Sequence, residues 1–130
     1  MATVDPKLAV KFCGISMKNP IVAASGTFGF GLEYDRYLDL DTEVGAISVK
    51  GLTPTPRPGN AGVRIAETPS GVLNCIVLEN PGAEAFVADI LPNLKQYDVP
   101  IFVNISGNTL EEYEYMAKTL TVEGIAALAV

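Results

Sequence analysis

The chain has 130 residues, 48% of them hydrophobic and 18% charged, with a formal net charge of -6. That composition suits one small folded domain with a core of its own and excludes a disordered chain. Histidine is absent and the two cysteines, Cys13 and Cys75, lie far apart, which excludes a His-based metal centre and a Ser–His–Asp triad. No basic cluster offers a footprint for nucleic acid.

In chain order, the N-terminus lacks a basic segment followed by an apolar one, so no secretory leader is expected. No run of about eighteen apolar residues occurs, and no membrane span or membrane partner is expected. The chain reads as cytoplasmic, with both thiols reduced. Residues 9–18 alternate around Gly14 and predict a short hairpin. The apolar run 20–25 predicts a buried strand, and Tyr34, Tyr37 and Leu38 give 32–38 a short helical period. A second buried strand is predicted over 45–50, ending in Lys50. Residues 53–69 are loop-like, with four prolines, and 63–67 can pair with 72–73 around the turn 68–71. A helix is predicted over 83–96, distorted at Pro92. A third strand spans 100–105, and Thr109 and Glu112 mark the capping box of a helix running to Leu120. A fourth buried strand starts at Gly124 and reaches Val130.

Near-continuous apolar strands alternating with helices predict a parallel α/β sheet. Four such strands make half of an eightfold barrel of about 250 residues, so residues 1–130 read as a partial (β/α)8 domain ending at its fourth strand. The N-terminal hairpin and the loop and hairpin after the second strand are additions to that plan.

Three features carry chemistry. The stretch Asn74-Cys-Ile-Val-Leu-Glu-Asn-Pro-Gly82 sets two amides among apolar residues. Such amides suit a small planar ligand rich in N–H and C=O groups, while Asn and Gly also serve tight turns. The carboxyl ends of parallel strands carry the working residues of such folds. Here those ends hold Ser25 with Gly26, Lys50 with Gly51, and Asn104 with Gly107. Lys50 is either a fixed cation facing an anionic ring or substrate, or a lysine extended to solvent. Cys75 has no activating base nearby in the sequence and reads as a packing residue, and Cys13, in the predicted hairpin, reads as structural.

Several segments together resemble the dihydroorotate dehydrogenases of class 1, most closely the NAD-linked type 1B catalytic subunit. They are Asn19-Pro-Ile-Val-Ala-Ala-Ser-Gly-Thr-Phe-Gly-Phe-Gly31, Gly45-Ala-Ile-Ser-Val-Lys-Gly51, Arg64-Ile-Ala-Glu-Thr-Pro-Ser-Gly-Val-Leu-Asn74 and Leu78-Glu-Asn-Pro-Gly82. The resemblance implies an FMN-binding barrel that oxidises dihydroorotate to orotate in pyrimidine biosynthesis. Residue by residue, it implies that Ser25, Lys50, Gly51 and Asn104 contact FMN. It also implies that Lys50, Asn74, Cys75, Ile76, Val77 and Leu78 contact the substrate. The family's base is a cysteine after the fourth strand, so no catalytic base is expected within the chain. The implied partners are a second copy of the complete chain and an electron-transfer subunit carrying FAD and an iron–sulfur cluster [2Fe-2S]. Family members often read Gly-Asn-Pro-x-Pro-Arg at 59–64 and Asn-Ala-Ile-Gly-Leu-Gln-Asn at 74–80. Here Val77 replaces the glycine, which is expected to crowd the substrate loop, and Glu79 replaces the glutamine, which is expected to add charge beside it. The alternatives are an oxidoreductase for another dihydropyrimidine and a truncated, non-catalytic interaction protein.

Overall fold

Ile47, Val49, Ile101 and Val103 alternate with Ala46, Ser48, Phe102 and Asn104 along two neighbouring strands, and this alternation organises the fold. In the computed structural model, which describes residues 4–130, the first set is buried under the helices. Met1-Ala-Thr3, read above as part of a leaderless N-terminus, lie outside the described residues.

A four-stranded parallel sheet runs in the order β3 (Val22–Ala23), β4 (Ala46–Leu52), β7 (Ile101–Ile105), β8 (Ala127–Ala129), the order expected of consecutive barrel strands. Ahead of it, β1 (Val10–Phe12) and β2 (Ile15–Met17) form an antiparallel hairpin. Its two-residue turn has positive φ at both Cys13 (48°) and Gly14 (82°), the primed geometry that matches strand twist. Cys13 is therefore an exposed residue of the hairpin turn. Between β4 and β7 lies a second hairpin, β5 (Ile65–Thr68) with β6 (Gly71–Asn74), all eight residues of which are exposed.

The helices supply the outer layer. Four-residue α1 (Ser25–Phe28) follows β3, and only a 3-10 turn, Leu32–Tyr34, forms where a helix was predicted over 32–38. Next come α2 (Ala83–Ala85), a π turn (Phe86–Ile90) and α3 (Leu91–Leu94) as one helical run. The distortion expected at Pro92 sits just upstream of it. A proline has no N–H and its ring collides with the carbonyl four residues back; widening the preceding turn avoids both, and Leu91 N–H donates to Phe86 O instead. Asn93 Nδ2 then satisfies the Asp89 carbonyl at 2.8 Å.

The last helix, α4 (Leu110–Leu120), is capped by Thr109, whose side chain accepts from Glu112 N at 3.2 Å. Glu112 reaches back one residue further than a capping box requires, to Asn108 N at 2.5 Å. Phe86, Leu91, Leu94, Met116 and Leu120 from these helices pack on Ile47, Val49, Leu52, Ile101 and Val103. On the other face, Met17 packs on Ala46 and Phe102, and the Phe12 and Phe102 rings lie 6.3 Å apart. The hairpin thus covers one end of the inner face and leaves the strands' carboxyl ends to the loops. At Gly45 a Cβ would stand 1.9 Å from Asn19 O, so only glycine lets the lead into β4 pass there.

Candidate functional site

The parallel ladder of β4 and β7 pairs Val49 with Val103 but Leu52 with Ile105. Three residues on β4 thus span two on β7, and the extra residue is a bulge at Lys50–Gly51. Its first effect is one of phase: Leu52 returns to the helix-side core beside Ile47 and Val49, which strict alternation would forbid. Its second is to take Lys50 out of the ladder, so that Lys50 N–H donates to Gly29 O at 2.9 Å in the loop after β3. Lys50 therefore lies inside β4, not at its end as the sequence suggested. A glycine within a strand pattern was the available signal of a bulge.

Across the seam, Asn104 Nδ2 donates to Val49 O at 2.8 Å and to Ser48 Oγ at 2.9 Å. A carbonyl can only accept, so the amide nitrogen must face it. Asn104 Oδ1 is then left as an acceptor without a partner among the described residues.

Ser25, Gly26, Gly29 and Lys50 line a cleft of about 440 Å³ together with Glu33, Arg36 and Tyr37. Ser25 and Lys50 are half-buried, and Lys50 has no carboxylate partner among the described residues. A half-buried ammonium with no ion pair, at the carboxyl end of a parallel sheet, is placed to receive negative charge. Ser25, Lys50, Gly51 and Asn104 are thereby gathered around one bulge.

The stretch 74–79 lies on the other side of Gly51. A Cβ on Gly51 would stand 2.8 Å from Leu78 Cδ1, so glycine is what lets the Leu78 side chain close over the bulge. Val77 (φ 58°) and Leu78 (φ 39°) are successive left-handed residues, and a β-branched side chain is strained there. The N–H groups of Val77, Leu78 and Glu79 have no hydrogen-bond partner among the described residues. Three consecutive N–H groups without a partner are donors available to carbonyl or carboxylate oxygens.

The two amides of this stretch part company. Asn80 is buried: Oδ1 accepts from Thr53 N (3.1 Å) and Gly82 N (2.9 Å), and Nδ2 donates to Leu78 O (2.8 Å) and Thr53 Oγ1 (3.0 Å). It is a clip for the loop and offers nothing to a ligand. Asn74 is exposed, with Oδ1 accepting from Ile76 N at 3.0 Å. It lines a separate small hollow with Arg64 and Cys75, so it does not share the cleft of Ser25 and Lys50. Cys75 is exposed too, its Sγ 3.1 Å from Asn60 Nδ2, which corrects the packing role read from the sequence.

Asn60 further binds Cys75 O (3.0 Å), and its N–H donates to Ile76 O at 3.1 Å. Glu79 adds no free charge beside the loop, contrary to expectation, because Arg64 Nη1 donates to its Oε2 at 2.7 Å. Sequence reading passed over Asn60, Thr53 and the Arg64–Glu79 pair. Their loop, 53–64, carried turn signals but nothing to say what it would touch.

Residues 7–130 match the family model described as dihydroorotate dehydrogenase. Among similar proteins, the dihydroorotate dehydrogenase B (NAD(+)), catalytic subunit of Thermoanaerobacter pseudethanolicus is 50% identical over 123 residues. The protein of the same name from Desulforudis audaxviator is 54% identical over 125 residues. Each alignment covers 95% of this chain, and the chain spans 40% of each relative's length. The crystal structure of DHODH from Eimeria tenella in complex with ferulenol superimposes with a TM-score of 0.70 at 19% identity, covering 96% of this chain and 36% of that one. That likeness identifies the sheet as four consecutive strands of the same barrel fold.

Proposed function

The chain belongs to the dihydroorotate dehydrogenase family, and from that premise we propose that it forms the FMN- and substrate-holding part of an enzyme that oxidises dihydroorotate to orotate in pyrimidine biosynthesis. The observation that carries this reading is the bulge in β4. It sets the unpaired Lys50 in the cleft beside the Ser25 loop, with Asn104 bonded to the strand just ahead of the bulge and Leu78 folded over Gly51.

The donor set fits a flavin. Isoalloxazine offers N–H and C=O groups on one edge and an apolar face, and the site offers an acceptor (Asn104 Oδ1), a cation (Lys50) and glycine backbone at 26, 29 and 51 that lets a flat ring approach. FMN, when bound, supplies the acceptance of a hydride equivalent from the substrate's C6. Lys50 stabilises negative charge at the ring and reaches the substrate. Its worth is greatest where water is excluded. Ser25, Gly51 and Asn104 position the ring. The free N–H groups of 77–79, with Ile76 and Leu78 beside them, orient the substrate's carbonyl and carboxylate oxygens, while Asn74, through its bond to Ile76 N, and Cys75, held by Asn60, set the shape of that loop. No residue within the chain is assigned the C5 proton; the base is supplied from outside it. In the same reading the enzyme is cytoplasmic, pairs with a second copy, and passes electrons to NAD(+) through a companion subunit with FAD and [2Fe-2S].

The test is Lys50→Ala in the full-length protein, followed by stopped-flow reduction of the bound flavin with dihydroorotate. A loss of about 100-fold with flavin content unchanged is expected. An unchanged rate would return Lys50 to the role of a solvent-facing lysine, and a colourless wild-type protein would end the flavoenzyme reading.

A further inference from the structure

Ser48 is the one polar side chain in the run Ala46-Ile-Ser-Val49 that leads into the bulge. Ile47 and Val49 face the helix-side core, so Ser48 falls on the opposite face of β4, where Ala46 precedes it and Phe102 is its register partner on β7. In a barrel that face is the interior, which side chains fill in layers. A hydroxyl costs free energy in such a place unless it is hydrogen-bonded. Ser48 has a specific partner: Asn104 Nδ2 donates to its Oγ at 2.9 Å across the seam between the strands. We propose that Ser48 is a positioning residue of the flavin site, which holds the Asn104 amide so that it meets the ring as an acceptor alone; this rests on the flavoenzyme reading above.

The geometry limits what Asn104 can offer. An asparagine amide has two N–H protons and one carbonyl oxygen. One proton goes to Val49 O at 2.8 Å and the other to Ser48 Oγ at 2.9 Å. Both acceptors belong to successive residues of β4, so the amide is tied to that strand at two points. Asn104 itself stands on β7 between the pairs Val49–Val103 and Leu52–Ile105, opposite the bulge at Lys50–Gly51. Both bonds join neighbouring strands of one sheet, and neither depends on a solvent-exposed surface.

With both protons committed to β4, only Oδ1 remains for a ligand. A ligand group there must be a donor, and the oxidised isoalloxazine ring has one N–H, at N3. Val49 O fixes which end of the amide faces β4, and Ser48 takes up the second proton. Without the hydroxyl that proton is free, and the amide presents a donor beside its acceptor. Selectivity for a ring N–H then falls. Ser48 thus acts on the cofactor through Asn104 and not by touching it.

The experiment uses the full-length protein, stripped of flavin and titrated with FMN and with N3-methyl-FMN, which lacks the N–H. Quenching of flavin fluorescence reads both affinities, and the bulk of the methyl group is common to every variant. Wild type should bind FMN about tenfold more tightly than the methylated ring. Ser48→Ala should cut this preference to about threefold or less, and Ser48→Thr, which keeps the hydroxyl on a strand-favouring side chain, should restore it. Asn104→Ala should lose the preference, and adding Ser48→Ala to it should change nothing more. Ser48→Cys, a weaker acceptor of similar size, should fall between wild type and Ser48→Ala, and it replaces that variant if the alanine protein does not fold. Equal loss of affinity for both flavins in Ser48→Ala would leave Ser48 a role in the sheet alone. An unchanged preference would leave it none, and a further loss in the Asn104→Ala background would mean direct contact with the ring. Each of these overturns the proposal. A wild type that binds FMN without preferring it to the methylated form overturns it too, with the flavoenzyme reading intact. A wild type that binds no flavin fails at that earlier reading instead, which keeps the two failures distinct.

Discussion

The sheet and the excursion between Leu52 and Ala83 are held together by different forces. In the sheet, Ile47, Val49, Val103 and the helices' Phe86, Leu94, Met116 and Leu120 are all fully buried, and apolar area removed from water supplies the stability. In the excursion nearly every apolar side chain is exposed, with Val63, Ile65, Val72 and Leu73 all open to solvent. Its order comes from polar contacts: the Asn80 clip on Thr53 and Gly82, the backbone pair Arg57–Asn80, Asn60 on Cys75, and Arg64 on Glu79. The difference teaches how the site is made. Burial, which is strong and non-directional, fixes the platform carrying Lys50 and Asn104. Hydrogen bonds, which are directional but weak in net terms, set the angle of the loop over it.

Four measurements sharpen or break that contrast. Phe86→Ala removes a fully buried ring between helix and sheet and should cost about 3–5 kcal/mol in urea denaturation. A cost below 1 kcal/mol would mean that the core is not what holds the platform. Asn80→Ala leaves the Thr53 and Gly82 N–H groups unpaired in a buried place. It should cost about 2–3 kcal/mol and speed hydrogen exchange through 74–82 while leaving β4 and β7 protected. Uniform exchange across the sheet would merge the two regions into one.

Val77→Gly relieves a β-branched residue from positive φ and should raise stability by about 1 kcal/mol; a loss would show that the Val77 side chain makes contacts worth more than its strain.

The smallest effect concerns pH. The Tyr115 hydroxyl donates to Glu84 Oε1 at 2.7 Å and joins α4 to α2, and this hydrogen bond raises the tyrosine's pKa above its ordinary 10.0. Because the folded value lies above the unfolded one, the contribution is complete below pH 10 and is lost as pH rises through the raised value. Wild type should therefore keep its small advantage over Tyr115→Phe up to pH 10 and lose it as the pH rises further. An advantage that persisted would mean that Glu84 does not hold this proton.

The sequence by itself determined the platform. Apolar runs at 45–50, 100–105 and 124–130, a helical period at 83–96 and a cap at Thr109 were enough to place β4, β7, β8, the helical run from Ala83 and α4. Period is a local property of the chain and here it agrees with the fold, whereas the burial expected of the fourth strand is not reached: β8 is half-buried and Ala129 exposed. The polar positions Ser25 and Asn104 followed from the same pattern, whereas Lys50, expected at a strand exit, lies within β4.

What only the tertiary structure decided lies at the junctions. Register between β4 and β7 created the bulge at Lys50–Gly51. The nearness of Thr53 to Asn80 through space, not along the chain, made Asn80 a clip, while Asn74 stayed outside. Arg64 met Glu79, fifteen positions further along the chain, and cancelled a charge that the sequence alone left free. Each of these turns on which polar group finds which partner. The sequence restricts such pairings weakly, because one asparagine or arginine serves many geometries, while the fold admits only one.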